Sequence, residues 1–320
     1  MTRSYIRACI VAVVLTAGTT RVSAEQLAVG NDTEPGMSGS PSVAAIGVDH
    51  VAMRRDHDST QKGTLLQQAL RVQAASLART GAQLQSTKLN NDRKTKLIII
   101  NSPENPTGGV LDRGQIERIA RIATERNIPV MTDEIYRQFL YDGEFVSFYA
   151  QPGMHAQSIL LDGFSKTFAM TGWRLGYGVM PTDLAEHVTR LMVNSNSCTA
   201  SFVQLAGVAA LQGDHEPVRT MVAEFKRRRD ILVDGLNKLP GVTCKRPRGA
   251  FYVFPNITGS KRTSAEVADR LLQEAGVAVL SGAAFGAHGE GYLRISYANS
   301  ETNLRKALER MRPLFESFAR

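Results

Sequence analysis

Lys166 and Arg174 lie eight residues apart, in a segment whose side chains could bind an aldehyde cofactor that carries a phosphate. A lysine amine can form an imine with an aldehyde, and a guanidinium can hold a phosphate through two parallel hydrogen bonds. The apolar run at residues 158–161 precedes them and is typical of a buried strand. We therefore expect Lys166 on the loop that leaves the carboxyl end of this strand, where open α/β sheets bind ligands. The pattern predicts an anchor for pyridoxal phosphate.

Three further motifs accompany the lysine segment. The sequence Asn-Ser-Pro-Glu-Asn-Pro-Thr-Gly at 101–108 follows an apolar run, Asp-Glu-Ile-Tyr at 133–136 follows another, and Tyr-Leu-Arg-Ile-Ser-Tyr at 292–297 lies near the C-terminus. In this order, the four motifs resemble the aspartate-aminotransferase family, the fold-type I, class I/II pyridoxal-phosphate enzymes. The resemblance runs from about Lys94 to the C-terminus. It implies an α/β fold with a mostly parallel sheet flanked by helices, and a smaller α+β C-terminal domain.

The resemblance also implies a role for particular residues. Lys166 would hold the cofactor covalently and, once released by the substrate, move a proton between the substrate and the cofactor. Asp133 would pair with the pyridinium nitrogen and keep the ring protonated, so that the ring accepts electrons. The remaining roles would be hydrogen bonds to the ring's phenolic oxygen from Asn105 and Tyr136, phosphate binding by Ser165 and Arg174, and substrate binding by Asn105 and Arg294, whose guanidinium would take the α-carboxylate.

Each motif taken alone also has a simpler structural interpretation. Asp133 could cap a helix, and residues 105–108 could form a turn. Tyr136 and Trp173 could be core aromatic residues, and Arg294 could be a surface charge on an edge strand. The four motifs together favour the functional interpretation, because they occur in the order and near the spacing of the family.

The pattern along the rest of the chain agrees with the implied fold. Asp112 precedes apolar residues at helical spacing, and Gln115 stands where a capping box requires it. The sequence predicts further helices at 218–239, at 264–275 and from 301, and further strands at 249–254 and 277–280. We divide the chain into a signal-peptide-like segment (1–24), an atypical segment (25–90), an incomplete large cofactor-binding domain (91–205) and a small domain (206–320).

Composition sets wider limits. The net charge of +8 is compatible with an anionic cofactor and anionic substrates. The basic run Lys226–Arg229 is expected to be a solvated helix face rather than a nucleic-acid site. The three cysteines have no paired spacing, which argues against a disulfide framework or a structural zinc site, so we assign no metal.

The N-terminal region departs from the family pattern. Residues 1–24 carry arginines, an apolar run too short to span a bilayer, and a small-residue cleavage pattern, as secretory signals do. Residues 25–60 favour loop or disorder. Residues 63–70 match the family's glycine-containing phosphate cup only faintly and lie too close to Asn105, so we interpret the match as a coincidence, and residues 6–105 contain no Phe, Trp or Tyr to stack on the cofactor. The chain is either a truncated or mis-started cytoplasmic enzyme, or an exported protein that kept only the anchor half of the fold.

The leading functional hypothesis is an aminotransferase that moves an amino group from an α-amino acid to a 2-oxo acid. The alternatives are a pyridoxal-phosphate-dependent carbon–sulfur lyase of the same fold and a remnant with little or no turnover. The resemblance also implies a homodimer, with neither a nucleic-acid partner nor a stable membrane anchor. It favours the cytoplasm, whereas the N-terminal segment leaves export open.

Overall fold

The computed structural model describes residues 95–318 and the backbone of residues 9–11. The signal-peptide-like segment, except for these three residues, lies outside the described part of the chain. The atypical segment at 25–90, with its faint cup sequence at 63–70, lies wholly outside it.

The first sheet has five strands in the order β1-β5-β4-β3-β2. Strands β2, β3 and β4 pair in parallel, whereas β5 is antiparallel to both β4 and β1. The bounds of the strands are Cys9–Val11 (β1), Ile98–Asn101 (β2), Val130–Asp133 (β3), Ser158–Gly163 (β4) and Gly176–Met180 (β5). In register, Asn101 lies opposite Asp133, and Asp133 opposite Leu161. The carboxyl ends of three parallel strands therefore meet at one edge of the sheet.

Helix α1, Arg113–Arg126, connects β2 to β3 and confirms the predicted capping box. The Asp112 carboxylate accepts a hydrogen bond from the backbone N–H of Gln115, and the Gln115 side chain accepts one from the backbone N–H of Asp112, both at 2.9 Å. The face predicted to be apolar is buried against the sheet at Ile116, Ala120 and Ala123. Local sequence alone specifies this helix, because each contact that starts it joins residues three apart.

The second sheet has three antiparallel strands in the order β6-β8-β7. The strands are Tyr252–Val253 (β6), Leu280–Ser281 (β7) and Leu293–Ser296 (β8), so β6 is shorter than predicted and β7 begins where the predicted strand ends. Arg294 lies on β8, the central strand, and its interpretation as an edge-strand charge is wrong. The helices of this half include Ser264–Ala275, with the predicted bounds, and Glu301–Phe318.

The remaining long helices join the two sheets. They are Thr182–Ser195, Ser201–Gln212 and Glu216–Leu236, and the last corresponds to the helix predicted at 218–239. In chain order, the helices are named α2 (Phe164–Thr167, a single turn), α3 (Thr182–Ser195), α4 (Ser201–Gln212), α5 (Glu216–Leu236), α6 (Ser264–Ala275) and α7 (Glu301–Phe318). Across residues 95–318, no helix combines the length and the apolar character that crossing a membrane requires.

The basic run on α5 is not a uniformly solvated face. Arg229 is only 2% exposed, and its guanidinium pairs with Asp142 at 2.6 Å and with Asp230 at 2.8 Å. It also donates to the carbonyl oxygen of Pro247 at 2.9 Å and lies 4.9 Å from the ring centroid of Tyr141. The expectation of a solvated face is therefore wrong for Arg229, because tertiary contacts supply acceptors that compensate for its burial.

Candidate active site

The carboxyl edge of the first sheet brings together the residues that follow β2, β3 and β4. Lys166 lies in α2, directly after β4, and not on a loop as the sequence predicted. The turn can start there because Gly163 has no side chain: a Cβ at this position would come within 2.9 Å of the Cα of Gly176 and 3.1 Å of the carbonyl oxygen of Leu175. This close approach places the partly buried Lys166 beside the end of β3.

Asp133 and Lys166 form an ionisable pair at this edge. The pKa of Asp133 is raised to about 6, mainly by burial and also by the nearby carboxylates of Asp162 and Glu134, while Lys166 opposes the increase. A hydrogen bond of 3.2 Å from the backbone N–H of Ile135 also opposes the increase. Burial lowers the pKa of Lys166, while Asp133 acts to raise it. Burial therefore makes the neutral amine, which is the nucleophilic form, more accessible than in an exposed lysine, next to a carboxylate that a cation would stabilise.

The turn after β2 holds Asn105 in place through Asn101. The Asn101 side chain donates to the carbonyl oxygen of Asp133 at 2.9 Å and accepts from the backbone N–H of Asn105 at 2.8 Å. The turn contains cis peptide bonds before Pro103 and Pro106. At Gly108 φ is +68°, and a Cβ would approach the Cβ of Pro247 to 2.4 Å, so only glycine fits where this turn meets the second half of the chain. Asn101 is the first residue of the motif at 101–108, but the sequence predicted no role for it.

Arg294 reaches this edge from the second sheet. Its Nη1 donates to Oδ1 of Asn105 at 3.0 Å, across 189 positions of sequence. Its guanidinium carbon lies 4.8 Å from the ring centroid of Tyr252 and 4.9 Å from that of Phe285. Neither Tyr252 nor Phe285 was predicted from the sequence to belong to the site. Tyr252 could have been considered because it lies in the predicted strand at 249–254.

Tyr136 is buried within the site and faces a second tyrosine. Its hydroxyl lies 3.0 Å from the hydroxyl of Tyr252, and burial raises its pKa well above the usual value. Its ring also packs edge-on against Phe251, at 5.3 Å between centroids. The ring of Tyr136 is therefore part of the core, and its hydroxyl contacts Tyr252, whose ring lies beside Arg294. The role of the hydroxyl toward the cofactor stays a prediction.

Ser165 lies in α2, directly before Lys166, and Arg174 lies in the segment that follows this turn. Thr171 connects them, since its hydroxyl donates to the carbonyl oxygen of Ser165 at 2.9 Å and its own carbonyl oxygen accepts from Nη1 of Arg174 at 2.6 Å. Arg174 adopts a left-handed backbone conformation with φ of 55°. Trp173 is 45% exposed, which excludes its interpretation as a core residue.

Asp162 is a second buried carboxylate near Asp133, and it was not among the residues predicted from the sequence. Its carboxylate pairs with Nε of Arg137 at 2.7 Å and accepts from the hydroxyl of Tyr177 at 2.9 Å. It also accepts from the backbone N–H of Gly163 at 2.7 Å, yet burial still raises its pKa. The sequence could have indicated Asp162, because an acidic residue inside a buried strand requires polar partners.

The residues at this edge fit pyridoxal phosphate. Lys166 offers an amine whose pKa is lowered by burial, and Asp133 offers a carboxylate in a desolvated position suited to a protonated ring nitrogen. A guanidinium and hydroxyls lie in the segment at 165–174 for a phosphate, and Asn105 and Tyr136 lie on the side toward Arg294. The faint cup sequence at 63–70, interpreted as a coincidence from its spacing, lies outside the described residues.

Comparison with known proteins extends the match beyond the four motifs. The sequence profile of the aminotransferase class I and II family matches residues 64–311, beginning upstream of Lys94. The chain is 42% identical to an aspartate aminotransferase of Pyrococcus horikoshii, over 70% of this chain and 58% of that relative. It is 41% identical to aromatic-amino-acid aminotransferase 2 of Thermococcus litoralis, over 68% of this chain and 57% of that relative. The chain thus spans somewhat more than half the length of these curated relatives.

A solved structure gives the same result for the fold. The crystal structure of an aromatic aminotransferase from Pyrococcus horikoshii is similar with a TM-score of 0.68 at 41% identity, over 70% of this chain and 61% of that chain. The predicted fold class is therefore confirmed, because the chain shares the fold of this aminotransferase over the matched residues.

Proposed function

Because this chain belongs to the aminotransferase class I and II family, we propose that it transfers an amino group from an α-amino acid to a 2-oxo acid with pyridoxal phosphate as cofactor. The convergence of Lys166, Asp133 and Arg294 at the carboxyl edge of the first sheet carries the proposal. It supplies a nucleophilic amine, a buried carboxylate and a guanidinium at one place. Such a combination suits a substrate that has both an amino and a carboxylate group.

Lys166 has two tasks in this proposal. When bound, pyridoxal phosphate supplies an aldehyde that condenses with amines and a ring that accepts the electron pair of the substrate α-carbon. Lys166 would hold that aldehyde carbon through Nζ and, after exchange with the substrate amine, take the α-proton on the same atom. Its lowered pKa supports the second task, because a base works best when its pKa lies near the working pH.

The other residues bind and orient. The Asp133 carboxylate would hold a proton on the ring nitrogen, and the cation would in turn lower the pKa of Asp133 from its raised value of about 6. Asn105 and Tyr136 would donate hydrogen bonds to the ring's phenolic oxygen. Ser165, in the turn that carries Lys166, and Arg174, in the segment after it, would hold the phosphate.

Arg294 would select substrates by their α-carboxylate. It lies on a central strand, and its Nη1 is oriented by Asn105, so the guanidinium is pre-organised for a two-bond contact with a carboxylate. Asn105 would thereby contact both the cofactor and the substrate. The curated relatives carry names for aspartate and for aromatic amino acids, and we propose the class they share, α-amino acids with their 2-oxo acids.

We also propose that two copies of the chain pair. Helices α3 and α4 carry apolar side chains that are more than half exposed, which is typical of a surface that an interface buries: Leu191, Val193, Phe202, Leu205 and Leu211. Analytical ultracentrifugation should show a dimer that the double change Phe202→Glu and Leu205→Glu converts to a monomer. The matched control Leu272→Glu, at a half-exposed leucine on α6, should leave the dimer intact. A dimer that persists in the double variant would remove this surface from the proposal.

Covalent labelling tests the proposed function directly. The chain mixed with pyridoxal phosphate should develop the absorption band of a cofactor–lysine adduct, and borohydride reduction with peptide mapping should label Lys166. Lys166→Arg should abolish the label, whereas Lys245→Arg, at an exposed lysine of the C-terminal half, should retain it. Incubation with amino acids and 2-oxo acids should yield the exchanged pair. Release of pyruvate and ammonia would assign a carbon–sulfur lyase instead, and a label on another lysine would contradict the site.

A further inference from the structure

Tyr252 contacts two residues to which the proposed function gives different tasks. Its hydroxyl lies 3.0 Å from that of Tyr136, which would contact the cofactor. Its ring centroid lies 4.8 Å from the guanidinium carbon of Arg294, which would bind the substrate carboxylate. Tyr252 lies on β6, and Arg294 lies on the adjacent β8. One side chain from the second sheet thus touches the residue proposed for the cofactor and the residue proposed for the substrate.

The hydroxyl contact decides how well Tyr136 can donate. Of two facing phenols, only one can donate to the other, and the second is left free to donate elsewhere. Both tyrosines are buried, so neither hydroxyl exchanges this contact for bulk water at low cost. If Tyr252 donates, the proton of Tyr136 points to the acceptor in the site. A hydroxyl that already accepts a hydrogen bond is also the stronger donor, because the bonds polarise each other.

The ring contact decides how Arg294 is held. Phe285 provides a second ring at 4.9 Å from the guanidinium carbon, and Asn105 accepts from Nη1. An arginine near aromatic faces is attracted by their quadrupoles, most strongly where water is excluded. The rings therefore restrict the guanidinium to orientations from which a carboxylate can form two bonds. The hydroxyl and the ring of Tyr252 thus act on different partners and can be removed separately.

We propose that Tyr252 is a positioning residue that orients the hydroxyl of Tyr136 toward the cofactor and the guanidinium of Arg294 toward the substrate. The inference rests on the proposed function for the tasks of these two partners. The contacts by which Tyr252 holds them do not require the cofactor. This separation allows the inference to be tested both with and without pyridoxal phosphate.

Three variants of the cofactor-loaded chain separate the two contacts. Tyr252→Phe keeps the ring, and it should raise the pH midpoint of the bound cofactor's absorption change by about half a unit while the dissociation constant of L-aspartate changes less than about twofold. Phe285→Leu should weaken L-aspartate binding about two- to tenfold without moving the midpoint. Tyr252→Leu should do both. A structural role would move both measurements together in Tyr252→Phe, and that result would overturn the inference.

The cofactor-free chain provides a second, independent measurement. In a double-mutant cycle on the unfolding equilibrium, Tyr136→Phe and Tyr252→Phe should be non-additive by a factor of about two to ten. The matched pair Tyr141→Phe and Tyr252→Phe should be additive, because the Tyr141 hydroxyl bonds to the carbonyl oxygen of Ala250 and not to Tyr252. Additivity in the first pair would overturn the hydroxyl contact. If the chain binds no pyridoxal phosphate, the proposed function fails, and this cycle alone decides whether Tyr252 holds Tyr136.

Discussion

Asp133 and Arg229 are both removed from water, but the chain compensates their burial differently. Arg229 is held by two carboxylates, a carbonyl oxygen and an aromatic ring. Asp133 receives one backbone N–H, and two neighbouring carboxylates disfavour its charge, with Lys166 as the opposing cation. Arg229 links α5 to the segments around Asp142 and Pro247. Acceptors within the chain satisfy the hydrogen-bonding capacity of its guanidinium. Asp133 keeps capacity for a further cation.

This difference in compensation distinguishes a buried charge that supports the fold from one that serves function. A fully satisfied buried charge can contribute to the fold, because removing it leaves its partners unpaired. A buried carboxylate with a raised pKa destabilises the folded chain at neutral pH and is retained where it acts on something else. Asp162 lies between these cases, since it has three donors and still a raised pKa.

Asp133→Asn gives the largest expected effect and the strongest test of this comparison. An amide does not supply the charge that holds a proton on the ring nitrogen, so kcat/KM for transamination should fall by more than about a thousandfold. The same change should stabilise the cofactor-free chain at pH 8 by on the order of 1–2 kcal/mol. Enzyme assays and urea unfolding measure the two effects.

The pH dependence of that stability follows from the direction of the shift. The folded pKa of Asp133 is about 6 and lies above its usual value of 3.8, so the folded chain binds this proton more tightly than the unfolded chain. The contribution to stability is fully present below about pH 4 and is lost as the pH rises through 6. The stability difference between Asp133→Asn and the parent chain should therefore grow from pH 4 to pH 8. A constant difference would show that Asp133 is compensated as fully as Arg229.

Arg229→Met should have the opposite signature. Removing the guanidinium leaves Asp142, Asp230 and the carbonyl oxygen of Pro247 without this donor, and the free energy of unfolding should fall by about 1–3 kcal/mol. Labelling of Lys166 by pyridoxal phosphate should persist at temperatures where the variant is folded. Arg227→Met, at a neighbour whose side chain is 54% exposed, is the control and should change the free energy of unfolding far less. Equal losses in both variants would contradict the structural role of Arg229.

Arg294→Lys extends the comparison to the residue proposed to bind the substrate carboxylate. Lysine keeps the charge but loses the planar fork and the contact with the rings, so kcat/KM should fall about ten- to a hundredfold. Absorption of the bound cofactor should barely change. A variant that loses the cofactor and keeps substrate affinity would exchange the proposed roles of Arg174 and Arg294.

Asp162→Asn has the smallest expected effect. Because the carboxylate of Asp162 raises the pKa of Asp133, its neutral replacement should move that pKa downward from about 6. Carboxyl NMR of the cofactor-free chain measures the shift. Tyr177→Phe, which removes a donor to Asp162 but leaves its carboxylate, is the matched control and should not lower the pKa of Asp133. A pKa that stays in place in Asp162→Asn would show that burial alone accounts for it.

The resemblance carried by four motifs anticipated the fold class, and the structure brings Lys166, Asp133, Asn105 and Arg294 to one edge. This was predictable because polar residues that follow buried parallel strands meet where those strands end. Two helices, at 113–126 with its cap and at 264–275, could also be predicted from the sequence, because the capping residues and apolar positions that specify them lie within a few residues of each other. The assigned roles of the site residues stay predictions.

Other features depended on contacts that no local pattern contains. The sequence placed Arg229 on a solvated face, and tertiary structure buried it, because its acceptors come from residues 142 and 247 as well as from its own helix. Tyr252 meets Tyr136 across 116 positions, and Arg294 meets Asn105 across 189. Short-range hydrogen bonds and hydrophobic spacing determine which helices and strands form. Which side chains share a hydrogen bond across the two sheets is decided only when those elements pack, because the free energy of each such contact depends on burial that packing creates.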